Sequence, residues 1–177
     1  MNWQSSDSPE EIFAGLFSCA QNATGSRTDR MRLLVDALWD ALSPRGVSWI
    51  GFYEIASEGN DHAVDPGSAM LLGPHRNKPA CSPIGMHGAC GQSFTQRTSL
   101  VVTDVAHLGE GYVACDPKDL AELVIPCLDE NGNAWGVLDA DSFERGCFDE
   151  DDARQVHAVL SAAGLTAGGE MPPIRVI

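Results

Sequence analysis

Residues 120–140 read LAELVIPCLDENGNAWGVLDA. Two runs rich in β-branched and apolar residues, Leu120 to Leu128 and Ala134 to Ala140, flank Asn131-Gly132, a pair suited to the left-handed backbone of a tight hairpin turn. They predict two neighbouring antiparallel strands. Val47 to Ile55, with Val47, Trp49, Ile50, Phe52, Tyr53 and Ile55, predicts a third strand, and Ala69 to Leu72 its partner. The polar stretch from Ser57 to Gly67 between them reads as an exposed loop.

Helices bracket these strands. Ser8-Pro9-Glu10-Glu11 is a capping box with proline at the first helical position, and Ile12, Phe13, Leu16 and Phe17 follow at helical spacing. A second helix is expected from about Thr28, with Met31, Leu34, Val35, Leu38 and Leu42 on one stripe, until Ser43-Pro44-Arg45-Gly46 stops it. A last one opens at Asp149-Glu150-Asp151-Asp152 and carries Ala153, Val156, Leu160 and Ala163. Strands joined by hairpins, without alternating helical crossovers, predict an α+β fold with a central antiparallel sheet flanked by helices. We expect a single domain over residues 1–167 and a loosely attached tail over residues 168–177.

The 177 residues are 44% hydrophobic and 20% charged, enough to bury one core. Eleven basic and 25 acidic side chains leave a formal net charge of -14, a field that repels polyphosphate and anionic membrane surfaces. Neither nucleic acid nor a membrane is an expected partner. The first residues show no basic-then-apolar leader, so a cytoplasmic location is expected. Six cysteines, Cys19, Cys81, Cys90, Cys115, Cys127 and Cys147, should then rest as thiols.

Chemistry concentrates between Gly73 and Asp141, where three cysteines are expected in glycine-rich loops among histidines and acids. Trp49-Ile50-Gly51-Phe52-Tyr53, Leu72-Gly73-Pro74, Ala80-Cys81, Gly88-Ala89-Cys90-Gly91, Ala114-Cys115-Asp116, Glu122 and Gly136-Val137-Leu138-Asp139-Ala140-Asp141-Ser142 together resemble the free methionine-R-sulfoxide reductases, a catalytic branch of the GAF superfamily. The resemblance runs from about Trp49 to Asp152; the cysteine spacings and Tyr112 depart from the family's pattern. It implies a GAF-like fold and reduction of free methionine-R-sulfoxide, with Cys115 as nucleophile. It also implies Cys81 as resolving thiol, with Cys90 the second candidate, and Trp49, Tyr53, Glu122, Asp139 and Asp141 around the substrate. A thioredoxin-like reductant and a possible homodimer are further implications.

The residue types suit that chemistry. A thiolate attacks the sulfoxide sulfur while a proton reaches its oxygen, leaving methionine and a cysteine sulfenic acid, which a second thiol condenses to a disulfide. An acid with a raised pKa can supply the proton, and a buried carboxylate can pair with the ammonium of a free amino acid. Asp139 and Asp141 alternate on a strand and share one face, as solvent-facing acids would too. Cys127 and Cys19 read as core, and Cys147 has no partner motif. Cys81, His87, Cys90 and Cys115 could form a zinc set, but they lack the short paired spacing such sites use. We therefore expect no metal and no cofactor. The rival reading is a GAF-like sensor that binds a small ligand and catalyses nothing.

Overall fold

The computed structural model describes residues 8–57, 64–109 and 116–177. Helices α1 (Pro9–Gln21) and α2 (Arg27–Leu42) lead into strands β1 (Val47–Ile55), β2 (Ala69–Arg76) and β3 (Ile84–Gly85). Helix α3 (Ala89–Gln96), strands β4 (Ser99–Val102), β5 (Ala121–Leu128) and β6 (Ala134–Ser142), helix α4 (Glu150–Ala162) and strand β7 (Ile174–Val176) follow. The strands form one seven-stranded sheet in the order β3-β2-β1-β6-β5-β4-β7. All neighbours are antiparallel except β4 and β7, which run parallel.

The expected α+β fold with its central sheet flanked by helices stands, with one parallel pair added at the sheet's edge. That pair corrects one expectation, because residues 168–177 are not a loose tail: Ile174, Arg175 and Val176 pair with Ser99, Leu100 and Val101. Hydrogen bonds from Ser99 N to Pro173 O (2.8 Å) and from Thr103 N to Ile177 O (2.8 Å) extend the pairing at both ends. Four elements were not anticipated, namely β3, α3, β4 and β7, and β2 runs on to Arg76.

Helices start where their caps dictate. Ser8, Ser26 and Asp149 each accept from the backbone N–H groups of the first turn, and each box is closed by the acid three residues on. The apolar stripes of α1, α2 and α4 bury against one face of the sheet, meeting Ile50, Phe52, Leu123, Ile125, Leu138 and Ala140. Two expected core positions on α1 are shallower, because their turns look outward: Phe17 is exposed and Cys19 half-buried.

Strand alternation sends the residues between these to the opposite face. There Trp49, Tyr53, Val124 and Val137 form a second cluster with Met70, Leu100 and the start of α3. One face of the sheet thus holds the helical core. The other carries a smaller apolar floor on which polar groups can be mounted. Among the described residues, no helix is long and apolar enough to cross a membrane.

Candidate active site

Register decides which residues meet on the second face. Asp141 of β6 lies opposite Trp49 on β1 and opposite Glu122 on β5. Two residues back, Asp139 lies opposite Gly51 and Val124. Cross-strand partners on one face sit about 5 Å apart at Cβ. Trp49, Glu122, Asp139 and Asp141 are therefore neighbours because the pleat and the register allow no other arrangement.

These four residues line a cavity of about 340 Å³, at the small end of the roughly 300–1,000 Å³ of ligand pockets. Tyr53, Lys78, Cys81, His87, Cys90, Asp116 and Asp119 also contribute to its wall. The structure brings together every sequence-derived site residue that it describes: Trp49, Tyr53, Cys81, Cys90, Glu122, Asp139 and Asp141. Cys115 lies outside the described residues. Asp116, which follows it in the chain, lines the cavity.

Hydrogen bonds fix the aromatic wall. The Trp49 indole Nε1 donates to Lys78 O (2.9 Å), and its ring stacks on His75 at 6.0 Å between centroids. The Tyr53 hydroxyl donates to Cys81 O (3.0 Å), and Ser82 Oγ accepts from Leu72 N (3.1 Å). The segment that carries Lys78 and Cys81 is thereby tied to β1 and β2. Lys78 in turn forms an ion pair with Asp116, joining that segment to the stretch before β5. Cys81 is exposed at the rim.

Cys90 does not lie in a loop, as expected, but in the first turn of α3, where it is buried. Burial foremost, then the nearby Asp139 and Glu122, push its thiol well above the ordinary range. The acids are perturbed in the same sense. Burial drives the Asp139 carboxyl up to about 7, although hydrogen bonding with Cys90 and Glu122 opposes the shift. Burial also drives Asp141 well up, aided by the charges of Asp139, Glu122 and Asp119. One Asp139 oxygen, Oδ1, is buried with no hydrogen-bond partner among the described residues.

Two groups were missed from sequence. Asp119 is buried, accepts from Ser48 Oγ (3.1 Å) and is raised by burial. Lys78 is the one lysine or arginine in the cavity wall among the described residues, facing Asp116, Asp119 and Asp141. Nothing in their local pattern marks either; loop conformation brings them in. As for metal, Cys81, His87 and Cys90 share the cavity, but among the described residues the converging ligand atoms are those of Cys90, Glu122 and Asp139, all within 4.8 Å of one another.

The fold and the cavity on one face of its sheet define a class. The GAF domain family matches residues 24–166, so the chain is a GAF domain. The GAF domain-containing protein A of Dictyostelium discoideum is 34% identical over 113 residues, 63% of this chain and 65% of that protein's length. The free methionine-R-sulfoxide reductase of Saccharomyces cerevisiae is 30% identical over 159 residues, 86% of this chain and 83% of that one. At that identity and coverage, the chain belongs to the free methionine-R-sulfoxide reductase family. Among solved structures, the free methionine-R-sulfoxide reductase of Neisseria meningitidis, in complex with its substrate, superposes with a TM-score of 0.74 at 25% identity. That match covers 93% of this chain and 95% of that one.

Proposed function

We propose that this protein reduces free L-methionine-R-sulfoxide to methionine, with Cys115 as nucleophile, Cys81 as resolving thiol and a thioredoxin-like dithiol as reductant. The observation that carries the reading is the mounting of Glu122, Asp139 and Asp141 on one sheet face beside Trp49, inside a cavity sized for one small molecule. The S-methyl group packs on the Trp49 ring, an apolar and polarisable wall. A carboxylate pairs with the substrate ammonium, and the raised acid Asp139 holds a proton near neutral pH to deliver to the sulfinyl oxygen.

The Cys115 thiolate attacks the sulfur of the protonated sulfoxide and forms an S–S bond; the oxygen then shifts from the methionine sulfur to the cysteine sulfur as that S–S bond breaks, leaving Cys115 as sulfenic acid and releasing methionine. The Cys81 thiol then displaces that oxygen as water, forming a disulfide which an external dithiol reduces. Two observations favour Cys81 over Cys90 as the partner. Cys81 is exposed, three residues from the lysine that pairs with Asp116, whereas the Cys90 thiol is buried and held protonated. A thiol far above its ordinary range reacts poorly.

Single-turnover assays test the assignment. Cys115→Ser should yield no methionine, and Cys81→Ser should release about one methionine per chain before stalling. Turnover by Cys115→Ser would remove the nucleophile. A protein that binds the sulfoxide but never releases methionine would be a sensor.

A further inference from the structure

The cavity carries more negative charge than a free amino acid can answer. Asp116, Asp119, Glu122, Asp139 and Asp141 line it, and the ammonium of Lys78 is engaged by Asp116. A zwitterion brings no net charge to so acidic a lining, whereas a cation does. At the floor, the Sγ of Cys90 and one carboxylate oxygen each from Glu122 and Asp139 lie within 4.8 Å of one another. Cys90, Glu122 and Asp139 are only 5%, 4% and 6% exposed. Asp139 Oδ1, enclosed and without a hydrogen-bond partner among the described residues, points independently to a missing ligand.

We propose that Cys90, Glu122 and Asp139 form a binding site for zinc, and that the ion competes with the sulfoxide for the cavity. Zinc takes thiolate sulfur at about 2.3 Å and carboxylate oxygen at about 2.0–2.2 Å in tetrahedral geometry, which puts ligand atoms about 3.5 Å apart. Closing from the present separations asks each side chain for about 1 Å of movement or less. Three protein ligands leave the fourth position to water. The single sulfur selects a thiophilic ion over magnesium or calcium, which demand six or more oxygens.

Binding is an exchange of zinc for protons: the S–H bond of Cys90 breaks as the Zn–S bond forms, and its proton, with any that the Asp139 carboxyl carries, leaves to solvent. The burial that keeps this thiol protonated does not oppose the site, because the ion's own charge inverts the balance. Asp141 and Asp119 face the trio and add attraction, while Lys78 is drawn off by Asp116. Competition with substrate rests on the function proposed above; metal binding does not.

Cobalt(II) titrated into the fully reduced protein supplies the test. One ion per chain should give tetrahedral visible bands and a thiolate-to-cobalt charge-transfer band. Cys90→Ser should lose the charge-transfer band and Cys81→Ser should keep it. A band that survives Cys90→Ser, or disappears in Cys81→Ser, or never forms in the wild type, overturns the site. Should Cys90→Ser fail to fold, zinc-edge absorption of the wild type decides, with one sulfur at about 2.3 Å expected and two or none overturning the proposal. In the reductase assay, zinc at about ten times its Kd should raise the apparent KM about tenfold with kcat unchanged. An effect on kcat alone would overturn the competition. A chain with the cobalt band but no reductase activity would fail the proposed function only.

Discussion

Replacing Asp139 by Asn should stabilise the protein in alkali while disabling it. An acid whose native pKa exceeds its unfolded value binds more protons folded than unfolded, so stability falls as pH rises from the lower value to the higher. For Asp139 that window runs from 3.8 to about 7. The shift of about 3 units, at about 1.4 kcal/mol each, amounts to about 4 kcal/mol, of which about 2–3 is lost between pH 5 and pH 8. Asn keeps the shape and cannot ionise, so the variant escapes that loss. Urea unfolding followed by tryptophan fluorescence at pH 5 and pH 8 reads the difference directly. The variant's stability relative to wild type should rise by about 2–3 kcal/mol between the two, and a change under about 0.5 would refute the burial argument. The same substitution should lower kcat/KM by about two to four orders of magnitude if Asp139 delivers the proton.

If the acids hold the substrate ammonium as proposed, N-acetyl and peptide-bound sulfoxide should be poor substrates: losing a charged partner in an enclosed site costs about 2–5 kcal/mol, or two to three orders of magnitude in kcat/KM. Comparable values for free and acetylated R-sulfoxide in one coupled assay would sink the ammonium role of the acids. Trp49 is 2% exposed, so Trp49→Ala should cost about 3–5 kcal/mol in chemical denaturation and abolish turnover. A variant of wild-type stability would show that the ring is not packed as described. Gly91→Ala should lower the melting temperature by several degrees, because a Cβ there would fall on the Met86 backbone at the start of α3. Tyr53→Phe removes the hydrogen bond to Cys81 O and should slow disulfide formation more than methionine release, which rapid quench separates.

What could be read before the structure follows the strength of local signals. The hairpin and β1 rest on dense β-branched and aromatic runs, and α1 and α4 on their capping residues, so these elements stand where expected. Helix α3 gave no such signal: its N-cap is Gly88, which has no side chain to cap with, and its eight residues include Gly91, Ser93 and Thr95. Strand β4 has four residues, too few to show a period. Pairing of β7 with β4 joins segments more than 70 residues apart, beyond the reach of any local pattern. At the site, alternation put Asp139 and Asp141 on a common face, and the family resemblance supplied the role proposed for them. Lys78 and Asp119 enter through loop geometry, which sequence does not encode in any simple repeat.

The sheet ends in strands of two and three residues, β3 and β7, and such short edges offer little for another chain to template upon. Behind β7 lies β4, Ser99-Leu100-Val101-Val102, every residue of it buried. Proteolysis between α4 and β7 would uncover four uncharged positions with open backbone donors and acceptors, the makings of a fibril seed. The last strand is thus a guard against self-templated aggregation, and a nicked chain should precipitate well before it unfolds.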